Sequence, residues 1–402
     1  MERRLIKEIE TGSKSALLKK NIITHYIYNG SSTIPDLSKE LNLSIPTVTK
    51  IINEMCEEGY LNDYGKLETS GGRHPNLYGL NPGSAYFIGV EVKQSAVNIG
   101  LINLKGEMVE QKMGIPYRFE NSIEGLNRLC ALVTDFITHM PVSEEKVLTI
   151  NINLSGRVNP ESGYSFSQFN FEEAPLADIL SDKLSHKVSV DNDTRAMAYG
   201  EYMQGVVKGE RNILFVNVSW GIGIGIIIDG KIYTGKSGFS GEFGHIPAYD
   251  NEILCHCGKK GCLETETSGS AFYRILHERI RNGENSILSR RIDDKDSPLS
   301  LEEIIESVNN DDLLCIDIVE KIGLKLGKHI AGLINLFNPE LVIIGGELSR
   351  TNDYIALPIK SAIRKYSLNM VNKDTSIVVS KLKERAGIVG ACMLARSRVF
   401  NA

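Results

Sequence analysis

Three of the seven cysteines stand close together in Cys255-His-Cys-Gly-Lys-Lys-Gly-Cys-Leu-Glu264, and His245 precedes them in Gly241-Glu-Phe-Gly-His245. Thiolates and an imidazole at this density are the donor set of zinc, which takes four N or S ligands in a tetrahedron. His245, Cys255, Cys257 and Cys262 would fill that tetrahedron and leave no position for water or substrate, so the expected Zn2+ is structural rather than catalytic. His256 is the rival nitrogen. It sits between two ligating cysteines, where its ring reaches the same ion awkwardly, and His245 is preferred. Gly258 and Gly261 let the backbone turn tightly between the thiolates. The plain alternative is a loop of free thiols.

Carboxylates gather around the same stretch. Glu242 and Glu264 flank the presumed ligands, and Asp191-Asn-Asp193 closes a strand pattern over Val188–Asp193. Taken singly, such acids are more often solvated surface groups, but here they bunch at a strand end and around a glycine-rich loop. The elements that must carry these groups read as α/β. Strands are expected at 86–92, 96–103, 147–153, 212–219, 222–228 and 341–346, with helices at 123–139 and 313–337. Strand-rich starts followed by helices occur twice, which predicts two α/β lobes facing a cleft.

The first eighty residues differ in texture. Thr33-Ile-Pro-Asp36 and Ser44-Ile-Pro-Thr47 each combine a cap residue with a proline in the first turn, and each should open a helix. In the second helix Val48, Ile51, Ile52 and Met55 form one apolar stripe. Ser44, Thr47, Thr49 and Lys50 on or beside the other face suit base edges and phosphates. A strand near 76–80 and the glycine-flanked Arg73 complete a winged helix-turn-helix whose wing would reach into a minor groove. Residues 1–80 hold ten Lys/Arg and ten Asp/Glu, so DNA contact would rest on charge placement. A helical protein-interaction module is the alternative.

Composition sets outer limits. The net charge of -5 over 402 residues gives no general attraction to nucleic acid or anionic membrane. No apolar run is long enough to span a bilayer, and the charged N-terminus lacks a signal-peptide core. Four cysteines lie scattered, unlike a secreted disulfide framework. A cytoplasmic location is expected.

Together the motifs Gly241–His245, Cys255–Glu264, Asp191–Asp193 and Asn335-Leu-Phe-Asn-Pro-Glu340 with Gly345-Gly346 resemble the ROK family (repressors, open reading frames and sugar kinases) from about residue 84 onward. The resemblance implies an actin-like (sugar kinase/Hsp70-like ATPase-type) fold behind the winged helix-turn-helix. It implies domains at 1–80, at 81–194 with a C-terminal helix near 385–402, and at 195–384 with the zinc loop and dimerisation helices. It makes Asn192, Asp193, Glu242, His245 and Glu264 sugar contacts, with Asp193 a catalytic base only if kinase activity is retained. The family's phosphate hairpin is altered here to Glu91-Val-Lys-Gln-Ser95, Trp220 stands where a small residue is usual, and Glu347 follows Gly345-Gly346. Long side chains in place of glycine obstruct a phosphate, so ATP and Mg2+ are not expected to bind. The resulting expectation is a sugar-responsive repressor of carbohydrate metabolism. It would bind operator DNA and a sugar or sugar phosphate as a homodimer or higher homo-oligomer. A ROK-type sugar kinase with a regulatory DNA-binding domain is the alternative.

Overall fold

The computed structural model describes residues 12–66, 75–292 and 299–400. The chain divides into two compact units, Met1–Asn192 with Ala391–Ala402, and Asp193–Gly390. The first unit opens with α1 (Lys14–Asn29), β1 (Ser32–Thr33), α2 (Ile34–Glu40), α3 (Ile45–Glu57), β2 (Leu61–Lys66) and β3 (Asn76–Leu80). The caps form as expected. Thr33 Oγ1 accepts from Asp36 N at 3.4 Å, and Ser44 Oγ accepts from Thr47 N at 3.3 Å, each satisfying one N–H that a helix start leaves without a partner. Val48, Ile51, Ile52 and Met55 are all buried. α1 completes the three-helix core: buried Lys19 bonds both carboxylate oxygens of Glu58 at 2.6 and 2.7 Å, and Ile22 and Ile23 are fully buried. The strands pair in the order β1-β3-β2. Arg73, expected at the wing tip, lies outside the described residues.

The same unit continues with β4 (Tyr86–Val92), β5 (Ala96–Asn103) and β6 (Met108–Pro116), then α4 (Ile123–His139) and β7 (Val147–Leu154). A short hairpin of β8 (Val158–Asn159) and β9 (Tyr164–Ser165) leads to α5 (Leu176–Leu184) and β10 (Val188–Asn192). The sheet order is β10-β7-β4-β5-β6, an antiparallel meander of three strands with two parallel strands added beyond β4. Every residue of β7 is buried, as for a parallel strand covered on both faces. The expected strand over Val188–Asp193 stops one residue sooner. Asp193 is the first residue of α6 (Asp193–Gln204), where its Oδ1 accepts from Thr194 N at 2.7 Å. Acids favour a helix N-terminus, and this local capping ends the strand.

The second unit repeats the plan. After α6 come β11 (Ile213–Val218), β12 (Ile222–Ile228) and β13 (Lys231–Ile232). A long excursion then carries α7 (Glu264–Thr267), α8 (Gly269–Arg281), α9 (Leu301–Asn309) and α10 (Leu313–Phe337). The chain closes with β14 (Leu341–Gly345), α11 (Asp353–Tyr366), α12 (Asn369–Asp374), β15 (Ser376–Val379) and α13 (Ala386–Phe400). The order β13-β12-β11-β14-β15 is again a meander of three with two parallel additions. In α10 the apolar positions Leu314, Ile318, Ile322, Leu326, Ile330 and Ile334 are buried in the unit's own core. Among the described residues no helix is long and apolar enough to cross a membrane.

Candidate metal centre and ligand site

The loop between β13 and α7 is built on glycine and on backbone pairing. Cys255 N donates to Lys259 O at 2.8 Å and Gly258 N to Cys255 O at 2.9 Å, closing a tight turn between thiols. Gly261 has φ +73, and a Cβ there would stand 2.1 Å from Tyr249 O, so no other residue fits without moving the backbone. The turn brings one ligand atom each from His245, Cys255, Cys257 and Cys262 within 4.8 Å of one another. Cys255 Sγ lies 3.5 Å from His245 Nδ1, and Cys257 Sγ lies 3.6 Å from Cys262 Sγ. A tetrahedral zinc ion with its usual bond lengths spaces neighbouring ligand atoms by about 3.5–3.8 Å. The donor set and its spacing therefore fit zinc.

His256 goes elsewhere. Its Nδ1 is 3.9 Å from Cys255 Sγ but 2.8 Å from Glu264 Oε1, which makes it a partner of that carboxylate. His245, His256 and Glu264 form a second group of potential ligands. Burial pushes the Cys255 thiol well above its ordinary range, with the Glu264 carboxylate adding to the effect. Burial also raises Cys262, helped by the neighbouring Cys257. At Cys257 burial opposes ionisation, yet the Lys259 N–H and the two neighbouring thiols bring the value below ordinary. Holding all three as thiolates is what a metal's charge would supply.

The carboxylates converge on this loop. Glu264 opens α7, is only 5% exposed, and holds Cys255 Sγ at 3.1 Å through Oε1, while Oε2 faces Ile222 N at 3.4 Å. His245 turns Nδ1 toward Cys255 and Nε2 toward Glu242 Oε2, 3.8 Å away. Glu242 is more open than Glu264. β12 joins this loop to α6. A Cβ on Gly241 or Gly244 would strike Ile224 O or Ile222 O, and a Cβ on Gly223 would strike Thr194 Oγ1. The glycines of Gly221-Ile-Gly-Ile-Gly225 thus let α6, with Asp193 at its start, approach the strand closely. Arg195 of α6 also donates to Gly238 O at 2.5 Å, just ahead of the loop. Asn192, the last residue of β10, donates through Nδ2 to Gly156 O at 3.0 Å.

Thr194 and Asn217 had no sequence signal. Asn217 Nδ2 donates to Thr194 Oγ1 at 2.9 Å, Ser219 Oγ donates to Asn217 Oδ1 at 2.7 Å, and Glu347 N donates to Ser219 Oγ at 3.1 Å. Trp220 is half exposed, with its ring 6.1 Å from that of Tyr273. In the first unit, Glu91 is buried and accepts from Asn98 Nδ2 at 2.6 Å.

On α3 the helix-turn-helix candidates divide by what already engages them. Ser44 and Thr47 bond each other through their hydroxyls at 2.7 Å, and Thr49 Oγ1 donates back to Ile45 O at 2.8 Å. Lys50 is exposed, with Glu54 at 3.9 Å one turn away.

Comparison with known proteins adds to this geometry. The family model described as "ROK family" matches residues 87–398, and one described as winged helix-turn-helix DNA-binding matches residues 17–62. The chain is 29% identical over 400 residues to the xylose repressor of Caldicellulosiruptor bescii, covering 99% of this chain and 98% of that one. It is 28% identical over 368 residues to the DNA-binding transcriptional dual regulator NagC of Escherichia coli, covering 91% and 88%. Among solved structures, a ROK family transcriptional regulator, a homologue of the E. coli MLC protein, aligns with a TM-score of 0.81 at 28% identity over 96% of this chain and 97% of that one. A ROK family glucokinase from Streptomyces griseus, in complex with glucose and AMPPNP, aligns with a TM-score of 0.68 at 26% identity, covering 78% of this chain and all of that one.

Proposed function

The chain belongs to the ROK family, with a winged helix-turn-helix ahead of the family domain, and on that premise we propose that it is a sugar-responsive DNA-binding repressor of carbohydrate metabolism. The observation that carries the reading is the joining in one chain of a DNA-binding domain to the Glu242, His245 and Glu264 cluster on a four-ligand metal loop. Full-length likeness to repressors named for xylose and to NagC supports it.

Zinc, held by His245, Cys255, Cys257 and Cys262, supplies structural bracing when bound. Held there it would brace the ring of His245, whose Nε2 lies 3.8 Å from Glu242 Oε2. Glu264 and Glu242 accept from ring hydroxyls, His245 Nε2 donates or accepts, and Asp193 and Asn192 contribute further contacts. Asp193 acts here as a hydroxyl ligand. Lys93 and Gln94 replace the two glycines against which the family's nucleotide phosphates lie, and their long side chains obstruct a phosphate. The chain acts in the cytoplasm as a homodimer, presenting two α3 helices to successive major grooves. Lys50 binds phosphate, and Arg73 enters the minor groove. Sugar acts by binding the DNA-competent and DNA-released states with different affinity.

The test combines two measurements on the full chain. A thermal-shift panel of D-xylose, D-glucose, N-acetylglucosamine and the hexose 6-phosphates reads binding. Retention on an operator selected from a randomised DNA pool reads response. At least one sugar should raise the melting temperature and change retention. Turnover of ATP with any of these sugars, lost in Asp193→Asn, would instead establish the kinase reading.

A further inference from the structure

Asp191 is a buried carboxylate, 2% exposed, one residue before the proposed sugar contact Asn192. Its two oxygens serve different parts of the first unit. Oδ1 accepts from Asn192 N at 2.8 Å, and Oδ2 bonds Arg398 Nη2 at 2.8 Å. Arg398 lies in the last turn of α13. Two residues on, Phe400 O accepts from Thr24 Oγ1 of α1 at 3.1 Å, and the Phe400 ring meets Phe87 of β4 edge-on at 6.2 Å. α1 is tied in turn to the helix-turn-helix through Lys19 to Glu58 after α3, and His25 Nε2 lies 3.1 Å from Glu40 of α2.

We propose that the Asp191–Arg398 ion pair is the positioning link through which the Asn192 end of β10 sets the placement of α1 and the DNA-binding helices. The end of α13 is packed tightly enough to carry such a signal. A Cβ on Gly89 would stand 2.3 Å from Cys392 N, and Thr149 Oγ1 of β7 donates to Ala395 O at 2.8 Å. The helix therefore lies directly against β4 and β7, and β7 is the neighbour of β10. Asp191 is buried and Arg398 is exposed, so the pair adds little net stability, but it fixes the geometry of a carboxylate that is costly to leave buried without its cation. That combination suits a switch better than a brace. A shift of Asn192 on sugar binding moves the Asp191 carboxylate through the shared backbone. Arg398 follows, because the buried carboxylate of Asp191 keeps the cation that compensates it.

The link rests on Asn192 being a sugar contact, and the experiment separates the two ideas. Arg398→Met keeps the stem and removes the charge, Asp191→Asn keeps the shape, and Arg398→Lys restores a cation. Sugar binding is read by thermal shift with the panel above, and response by retention on the selected operator. Both uncoupling variants should still be stabilised by the sugar and still bind operator without it. Their sugar-dependent change in retention should weaken by about tenfold, the usual scale of coupling between sites. The double variant should be no worse than the stronger single one, and Arg398→Lys should recover part of the response. A wild-type response in Arg398→Met and Asp191→Asn overturns the link. Absence of any sugar-induced shift in the unaltered chain overturns the sugar reading, and the link with it.

Discussion

The two five-stranded sheets have one strand order and two different uses. In the first, α4 alone carries the chain from β6 to β7. In the second, the corresponding passage from β13 to β14 folds the candidate metal loop and α7 through α10. The hairpin ends differ as well. Glu91 of β4 is buried and engaged by Asn98, whereas the glycines of β12 leave room for α6 on one side and the metal loop on the other. The shared frame decides where residues can be placed, and the insertion and strand ends decide what chemistry is placed there.

The contrast can be broken most sharply at the insertion. Cys262→Ser removes a buried residue proposed as a zinc ligand, and binding energy at structural zinc sites is folding energy, on the scale of about 10 kcal/mol. Bound zinc should fall from one per chain toward none by elemental analysis, and residues 241–264 should become protease-sensitive while α1 to α3 remain protected.

Much of this architecture was legible beforehand, for local reasons. α3 announced itself by cap, proline and apolar stripe within fourteen residues, Ser44 to Glu57. The gathering of His245, Cys255, Cys257 and Cys262 was readable because all four lie in one short stretch of chain. β6 was not recognised because none of its residues is buried and Glu110 and Lys112 interrupt its apolar positions, and α1 because its apolar positions are broken by Lys19 and His25, buried only through tertiary partners. His256 meeting Glu264, and Asp191 meeting Arg398 across 207 positions, depend on packing that no spacing encodes.

A smaller effect is expected at Glu264. Glu264→Gln removes charged acceptance of sugar hydroxyls, about 1.5–3 kcal/mol for a bond to a charged group, with zinc retained. Trp220 is the only tryptophan, and its loop borders Glu264, since a Cβ on Gly221 would lie 3.1 Å from Glu264 Oε2. Its fluorescence should respond to sugar in the unaltered chain and require much higher sugar in the variant.

The matching change in the first sheet is Asn98→Ala. It leaves the Glu91 carboxylate short of a donor and should cost about 1–3 kcal/mol of stability, read by chemical denaturation, without altering zinc content or sugar affinity. An equal loss of sugar response there would erase the functional distinction between the sheets. The smallest effects belong to the DNA contacts. Lys50→Ala and Arg73→Ala should each weaken operator binding and reduce its logarithmic salt slope by about one.

The central claim, that the metal loop braces a sugar sensor, meets its most direct test in Cys257→Ser. Cys257 is the exposed member of the ligand set, so its loss removes a ligand with little change to the core. Zinc content and sugar-induced thermal shift should be measured on one preparation, beside the unaltered chain. The account predicts that zinc and the sugar shift disappear together while the helix-turn-helix still binds operator. A full sugar shift in zinc-free Cys257→Ser protein would contradict it.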